Sequence, residues 1–302
     1  MFEYGKAICY SGYRNGQRPG GVIPSKEQIA EDLQLLVEEG YRYIRMYDPN
    51  DHARQALELI HEKKLPLRCL IGVDNFAEMN NPNCPWDKTV YTEVQLEANR
   101  NRNDAEVEKL IALVKEFPEE VIAVSIGNEN TPDWGARRVP EQRLVQHARR
   151  LKEALQKPVT FCEGASDWIR LTALAKEVDF LGIHSYPLHY GAEIDYALEI
   201  NQQDFAKVLA AFPDKFVVFT ELGWSSKARD DHKKNRANVE NQIRYIREIE
   251  AWFEQEKIIG FIFEAFDEPW KGETPDSCER NWGLFYENRT PKPVIAAQTQ
   301  NY

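Results

Sequence analysis

The 302-residue sequence has no run of eighteen or more apolar residues, so nothing in it is long enough to cross a bilayer as a helix. It has no HExxH, no CxxC and no paired Cys/His spacing, which leaves no zinc site to read. It has no GxGxxG. The turn after the first apolar run reads YSGYRNGQRPGG, which weakens the case for a doubly wound dinucleotide-binding sheet. No linker, repeat or low-complexity segment divides it, so residues 1–302 are expected to form one domain. Basic residues are also in deficit: 38 Lys and Arg against 49 Asp and Glu give a formal charge of −11. Without a stripe of cations to neutralise phosphates, nucleic acid is not an expected partner, and polyanionic substrates are disfavoured. A neutral substrate fits the charge. No membrane contact, no metal or organic cofactor and no obligatory protein partner is implied.

The five cysteines are odd in number, and three (Cys9, Cys69, Cys162) fall inside apolar runs, so free buried thiols are expected, which leans toward a reducing compartment. The opening MFEYGKAICYSGY lacks a basic stretch followed by a long apolar core and does not read as a signal peptide. The expectation is a cytoplasmic protein if this start is native, and a secreted or periplasmic one if a leader has been removed.

What is present is an alternation. Eight short apolar runs rich in Val, Ile, Phe and Tyr recur along the chain: Ala7–Tyr13, Tyr41–Asp48, Leu65–Asp74, Val121–Glu129, Val159–Ser166, Val178–Pro187, Phe216–Trp224 and Gly260–Trp270. They are continuous rather than alternating, as expected of strands buried on both faces of a parallel sheet. Amphipathic segments lie between them. In PSKEQIAEDLQLLVEEG, Ser25 and Gln28 predict a capping box, Gly40 a stop, and Ile29, Leu33, Leu36 and Val37 an apolar stripe. VPEQRLVQHARRLKEALQKP and NVENQIRYIREIEAWFEQEK read the same way. Strand and helix alternating eight times predict an α/β fold, a single (β/α)8 TIM barrel.

A barrel places its chemistry at the C-terminal ends of the strands. Polar residues collect there: Asp48, Asp74, Asn75, Asn128, Glu129, His184, Tyr186, Glu221, and Glu264, Asp267 and Glu268 near the eighth run, with Glu163 inside the fifth. Two carry the argument. Glu129 ends the fourth run in VSIGNENTPDW, and Glu221 ends the seventh in FVVFTELGWSS. Two carboxylates facing each other in a partly desolvated cleft are driven to different protonation states, one acid and one base, which is what glycosidic cleavage uses. A glutamate after a strand can also be only a solvated loop residue. The pairing at the fourth and seventh runs favours the catalytic reading, with Asn128 placed to bond a sugar hydroxyl beside the reacting carbon.

These stretches resemble glycoside hydrolase family 17, the β-1,3-glucanases and related transglycosylases. SIGNEN and FTELGWSS are similar to that family's acid/base and nucleophile motifs, ICYSGY to its first strand, IRMYDPNDHARQAL to its second, and HSYP to its sixth. FEAFDEPWK and ERNWGLFYENRTPK are similar to its eighth strand and C-terminal tail, so the likeness spans essentially the whole chain in the family's order. It implies a retaining double displacement on β-1,3-glucan of the laminarin type, with Glu221 as nucleophile and Glu129 as acid/base. It further implies that Tyr186 bonds the nucleophile, that Tyr10 and Asn128 contact the reacting sugar, and that Glu268, Lys271 and Glu279 form a polar cluster near the acid/base. Ser225 departs from the proline that the family usually carries in GWSS. The stretch Asn75–Asn101 after the third run fits no pattern of the family, and either shapes the cleft or holds a short helix.

Aromatic rings are the usual platforms for the CH faces of sugars. Trp134 lies just past the fourth run, Trp224 and Trp270 at the ends of the seventh and eighth, and each either touches substrate or packs the rim. Trp86 is open to either role. Trp168, Trp252 and Trp282 are expected to be structural, as is His184, which could otherwise bind a sugar hydroxyl as His189 could. Arg45 is expected to pair with an acidic site residue. Lys227–Asn241 reads as a solvated loop leading into a helix. Three rival functions remain: a transglycosylase using the same pair, a catalytically silent glucan-binding protein, and a barrel enzyme of unrelated aldolase or isomerase chemistry. The last is weakened because no phosphate-binding glycine loop follows the seventh or eighth run and no lysine ends a strand.

Overall fold

A computed structural model describes residues 2–229, 233 and 235–299. The eight apolar runs form eight parallel strands: β1 (Lys6–Cys9), β2 (Tyr41–Met46), β3 (Arg68–Ile71), β4 (Val121–Asn128), β5 (Val159–Gly164), β6 (Phe180–Ser185), β7 (Phe216–Leu222) and β8 (Gly260–Ile262). They pair in sequence order, and β8 closes on β1 through Ala7–Phe261 and Ile8–Ile262. The helices are α1 (Lys26–Glu38), α2 (Asp51–Lys63), α3 (Glu93–Glu116), α4 (Glu141–Ala154), α5 (Ala165–Trp168), α6 (Thr172–Glu177), α7 (Ala197–Ala211), α8 (Val239–Glu256) and α9 (Pro293–Thr299). This is the expected (β/α)8 barrel. Among the described residues no helix is long and apolar enough to cross a membrane.

Local chemistry explains the boundaries. The Ser25 hydroxyl accepts from Gln28 N and the Gln28 side chain returns to the Ser25 backbone, so α1 starts with a full capping box. Gly40, at φ +78°, turns the chain from α1 into β2. Thr92 and Gln95 cap α3 in the same way. The stretch after β3 therefore splits: a coil to Thr92, then the first turns of α3. The eighth run is shorter as a strand than the pattern suggests. β8 stops at Ile262, and Glu264 to Trp270 rise over the barrel mouth, held by backbone bonds such as Asp267 N to Phe285 O. The Lys227–Asn241 segment lies partly outside the described residues. Its last residues cap and begin α8, where the Asn238 side chain accepts from Asn241 N.

The core fills the barrel and the seam between barrel and helices, and all five cysteines are buried and free within it. One buried ion pair ties the C-terminal tail to the helical shell. Arg289 grips Asp32 of α1 with Nε at 2.6 Å and Nη2 at 2.7 Å, while Arg14 Nη2 and the Tyr10 hydroxyl donate to the same carboxylate. Removing one partner of such a pair strands a charge away from water. Arg289→Met is expected to lower the unfolding free energy by about 3–5 kcal/mol, measured by urea denaturation. A loss below about 1 kcal/mol would show that Arg14 and Tyr10 suffice for Asp32.

Candidate active site

The strand ends of β2, β4, β6 and β7 converge on one buried point. Arg45, on β2 and almost fully enclosed, sends Nη1 to Glu221 Oε1 at 2.5 Å and Nη2 to Asn128 Oδ1 at 2.5 Å. Tyr47 donates to Glu221 Oε1 at 3.0 Å, and Tyr186 donates to Glu221 Oε2 at 2.6 Å. Both carboxylate oxygens of Glu221 are therefore met by donors. Burial alone would push this carboxyl up, but the charges of His184 and Arg45 and the bonds from Tyr186 and Arg45 outweigh it. The group is held well below the usual carboxylate range.

Glu129 faces it from the residue just after β4. A carboxylate oxygen of Glu129, one of Glu221 and a ring nitrogen of His184 all lie within 4.8 Å of one another. His184 Nδ1 is 2.9 Å from Glu129 Oε1 and 3.7 Å from Glu221 Oε2. His184 and Glu221 are direct register partners across β6 and β7. Burial disfavours the imidazolium, yet Glu221, Cys162 and Glu129 around it raise its pKa to about 10. His184 lies between the two carboxylates, and Arg45 and Tyr186 meet Glu221 from other sides, so protein groups already occupy the oxygens that would face an ion.

The sequence GNEN explains how Glu129 is aimed. β4 pairs irregularly with β5 between Ser125 and Asn128, and the Ser125 hydroxyl donates to Gly127 O at 2.7 Å. A Cβ on Gly127 would meet Asn130 Oδ1 at 2.4 Å and Asn75 Nδ2 at 2.5 Å, so only glycine lets these amides approach. Asn130 Oδ1 accepts from Asn128 N and from Asn75 Nδ2, and Asn130 Nδ2 donates to Arg137 O. Glu129 itself takes φ +48°, a left-handed conformation uncommon for a side chain other than glycine, asparagine or aspartate. Glu163 braces the next turn: Thr131 N and Oγ1 both donate to it, and burial and the Glu129 charge push its carboxyl up to about 8.

A cavity of about 1160 Å³ opens over this pair, large enough for several sugar rings. Asn128, Tyr186, Trp134, Trp270, Lys271 and Glu279 line it. His189 lines it too, 3.8 Å from Glu279. Trp86 lines it as well and stands 66% exposed. Other expectations need correction. Trp224 is wholly buried, its indole donating to Arg236 O, because the chain after β7 turns inward onto Tyr245 of α8. It is a packing residue. Glu268 is also fully buried and absent from the cavity wall. It sits behind Lys271, ion-paired to it, and accepts from Trp270 Nε1 at 3.0 Å, so it supports those two side chains. Arg45 pairs with the acidic Glu221, as expected, and binds Asn128 as well, but it does not line the open cavity where a substrate contact would be made. Tyr10 presents its ring to the cavity while its hydroxyl is taken by Asp32. His184, read as structural, is in contact with both carboxylates. Tyr47 is absent from the sequence reading, although it lies two residues beyond Arg45, just past the end of β2, and reaches the same Glu221 oxygen. Trp168 and Trp282 are buried, and Trp252 packs against Phe205 and Phe219, as expected.

The arrangement can hold one carboxylate as an anion, set a second beside it at short range, and enclose a neutral chain between aromatic walls. The His184–Glu221 contact also sets a pH response. His184 has a raised pKa, so its contribution to stability is complete below about pH 6.5 and is lost as pH rises toward about 10. Glu221 has a lowered pKa, so its contribution is present above about pH 4.5 and is lost in acid. His184→Asn is expected to flatten the fall in melting temperature between pH 7 and pH 10 relative to the parent protein. Parallel alkaline slopes in the two proteins would refute a charged His184.

A family model for the BtgE/BtgC glycoside hydrolase domain matches residues 7–283. The chain is 24% identical over 300 residues to a glucan 1,3-beta-glucosidase of Arthroderma benhamiae, covering 91% of this chain and 86% of that protein. It is 25% identical over 234 residues to the "Probable glucan endo-1,3-beta-glucosidase btgC" of Aspergillus fumigatus, covering 69% of this chain and 34% of that protein. The chain thus spans only about a third of btgC. In structure it is similar to an endo-laminarinase from Formosa Hel1_33_131, with TM-score 0.81 at 22% identity over 98% of this chain and 86% of that one. It is also similar to a beta-1,3-glucanosyltransferase of glycoside hydrolase family 17 from Rhizomucor miehei, with TM-score 0.76 at 21% identity over 96% of each chain.

Proposed function

The chain belongs to the BtgE/BtgC glycoside hydrolase domain family, and on that premise we propose that it is a retaining β-1,3-glucan hydrolase with Glu221 as nucleophile and Glu129 as acid/base. We place it more finely in glycoside hydrolase family 17, on the strand motifs that resemble that family. We read residues 1–302 as one catalytic barrel acting on laminarin-type chains or oligosaccharides. The observation that carries the reading is the separation of the two carboxylates. Oxygens of Glu129 and Glu221 within 4.8 Å of each other match the short spacing of retaining enzymes, about 5–5.5 Å, rather than the roughly 6.5–9.5 Å that leaves room for an inverting water.

In this mechanism Glu129 protonates the glycosidic oxygen while the Glu221 carboxylate attacks the anomeric carbon, forming a glycosyl-enzyme ester and releasing the reducing-end fragment. Glu129, now a carboxylate, then takes a proton from water, whose oxygen attacks the same carbon and frees Glu221. The configuration at that carbon is inverted twice and so retained. Arg45, Tyr47 and Tyr186 keep Glu221 ionised and aimed; they are positioning residues for the attack. Asn128, anchored through its carbonyl oxygen to Arg45, has its amide nitrogen available for a sugar hydroxyl next to the reacting carbon. The acidic, cation-poor surface suits a neutral glucan.

The test is product analysis on linear β-1,3-glucan. The parent protein is expected to release short β-1,3-oligosaccharides with retained configuration. Glu221→Ala and Glu129→Gln are each expected to lower turnover by at least about 10²–10⁴-fold. Sodium azide separates the roles: it should restore turnover of an activated glycoside to Glu221→Ala as the α-glycosyl azide, and to Glu129→Ala as the β-glycosyl azide. Products longer than the starting oligosaccharide would reassign the protein as a transglycosylase using the same pair. Glucan binding without sugar release would leave it a binding protein.

A further inference from the structure

The coil between β3 and α3 is the part of the sequence that matched no motif, and it carries Trp86. It is firmly held. Asn75 Nδ2 donates to Ile126 O at 2.9 Å and to Asn130 Oδ1 at 3.0 Å. Asn81 Nδ2 donates to the carbonyls of Asp133, at 2.8 Å, and Gly135, at 2.7 Å, the two neighbours of Trp134. Asn103 of α3 bonds both the N–H and the carbonyl of Phe76. The β3 and β4 loops are thereby pinned together into one wall of the cleft.

That wall leaves two indoles in water. Trp86 is 66% exposed and Trp134 44% exposed. Their centroids are 5.6 Å apart and their planes meet at 47°, so they form an open V and not a closed stack. Both rings line the cavity that contains Glu129 and Glu221. A loop that spends its amide bonds on holding tryptophan out of the core has no packing reason to do so. A flat apolar face held rigidly at the edge of a catalytic cavity suits the CH face of a pyranose, because little ordering entropy is left to lose on binding.

We propose that Trp86 and Trp134 form a two-ring platform that holds a pyranose of the glucan chain at a distance from the bond being cleaved. This rests on the reading of the cavity as a glucan site. The platform makes Trp86, which the motifs leave unassigned, a determinant of chain-length preference. Trp134 follows Glu129 in the same loop, so the platform and the acid/base share one rigid wall.

The experiment compares kcat/KM on laminaritriose and laminarihexaose for the parent, Trp86→Ala, Trp134→Ala and Trp86→Phe. The hexaose-to-triose ratio is expected to fall about threefold to tenfold in each alanine variant, and to be largely restored in Trp86→Phe. Melting temperatures are measured alongside to show that the fold is kept. An unchanged ratio in both alanine variants, with an active parent, overturns the platform while leaving the catalytic reading intact. An inactive parent overturns the catalytic reading instead. Laminarihexaose binding, followed by titration calorimetry with and without Trp86→Ala, then decides the platform on its own. Equal affinity sinks it, and at least threefold weaker binding in the variant supports it. The side of the bond is read from 4-nitrophenyl laminarioligosides, whose sugars all lie on the glycone side. A loss there places the platform on that side; a loss confined to unsubstituted oligosaccharides places it on the leaving-group side.

Discussion

Everything at the mouth of this barrel depends on one buried guanidinium. Arg45 is almost completely shielded from water, and a cation in that position is tolerable only if it is paired and its donors are satisfied. It binds Glu221 with one nitrogen and Asn128 with another, and its Nη1 also reaches Thr220 O at 3.1 Å. Three strand ends are thus fixed relative to one another by a single side chain. The constraint works in both directions. Arg45 requires an anion, and Glu221, equally buried, requires a cation. Neither can be substituted alone without stranding the other.

The second carboxylate is held by different means. Glu129 is bonded by the His184 ring, which it shares with Glu221, and its direction is set by backbone. The irregular end of β4, the close approach permitted by Gly127, the Asn130 bonds and the Glu163 brace under Thr131 combine to impose φ +48° at Glu129. A left-handed residue there costs of order 1–3 kcal/mol unless its surroundings over-determine it, and here they do. The two asparagines around Glu129 have separate tasks. Asn128 connects the strand end to Arg45, and Asn130 folds the loop back under the glutamate.

The barrel was legible because its signals are local and redundant: continuous apolar runs, capping boxes and a glycine stop each point to the same alternation. Glu129 and Glu221 were legible as a pair because both close a strand. What could not be read was which way a side chain turns once the strand has ended. Trp224 and Trp270 close the seventh and eighth apolar runs alike, yet one goes into the core, packed on Tyr245 of α8, and the other lines the cavity. Glu268 and Lys271 are one helical turn apart in sequence, but only Lys271 reaches the cleft. His184 was set aside because a single histidine in an apolar strand carries no partner signal. Its role comes from register with Glu221 across β6 and β7, a long-range fact that no window of sequence contains.

The short gap between the carboxylates explains why they differ so much in environment. Oxygens within 4.8 Å fit the short carboxylate spacing of retaining enzymes, and in the proposed mechanism a carboxylate is itself the attacking group. An attacking carboxylate must be both ionised and free of water, two conditions that oppose each other in a buried site. Arg45, Tyr47, Tyr186 and His184 reconcile them by replacing solvent with fixed donors around Glu221. In the proposed cycle the other carboxylate gains and loses a proton, which a fully enclosed group cannot do readily. Glu129 keeps 28% of its side chain exposed, so a route to the cleft stays open for its proton. The difference in burial between the two glutamates is consistent with the proposed division of labour, in which the enclosed residue is the nucleophile and the one at the water's edge the acid/base.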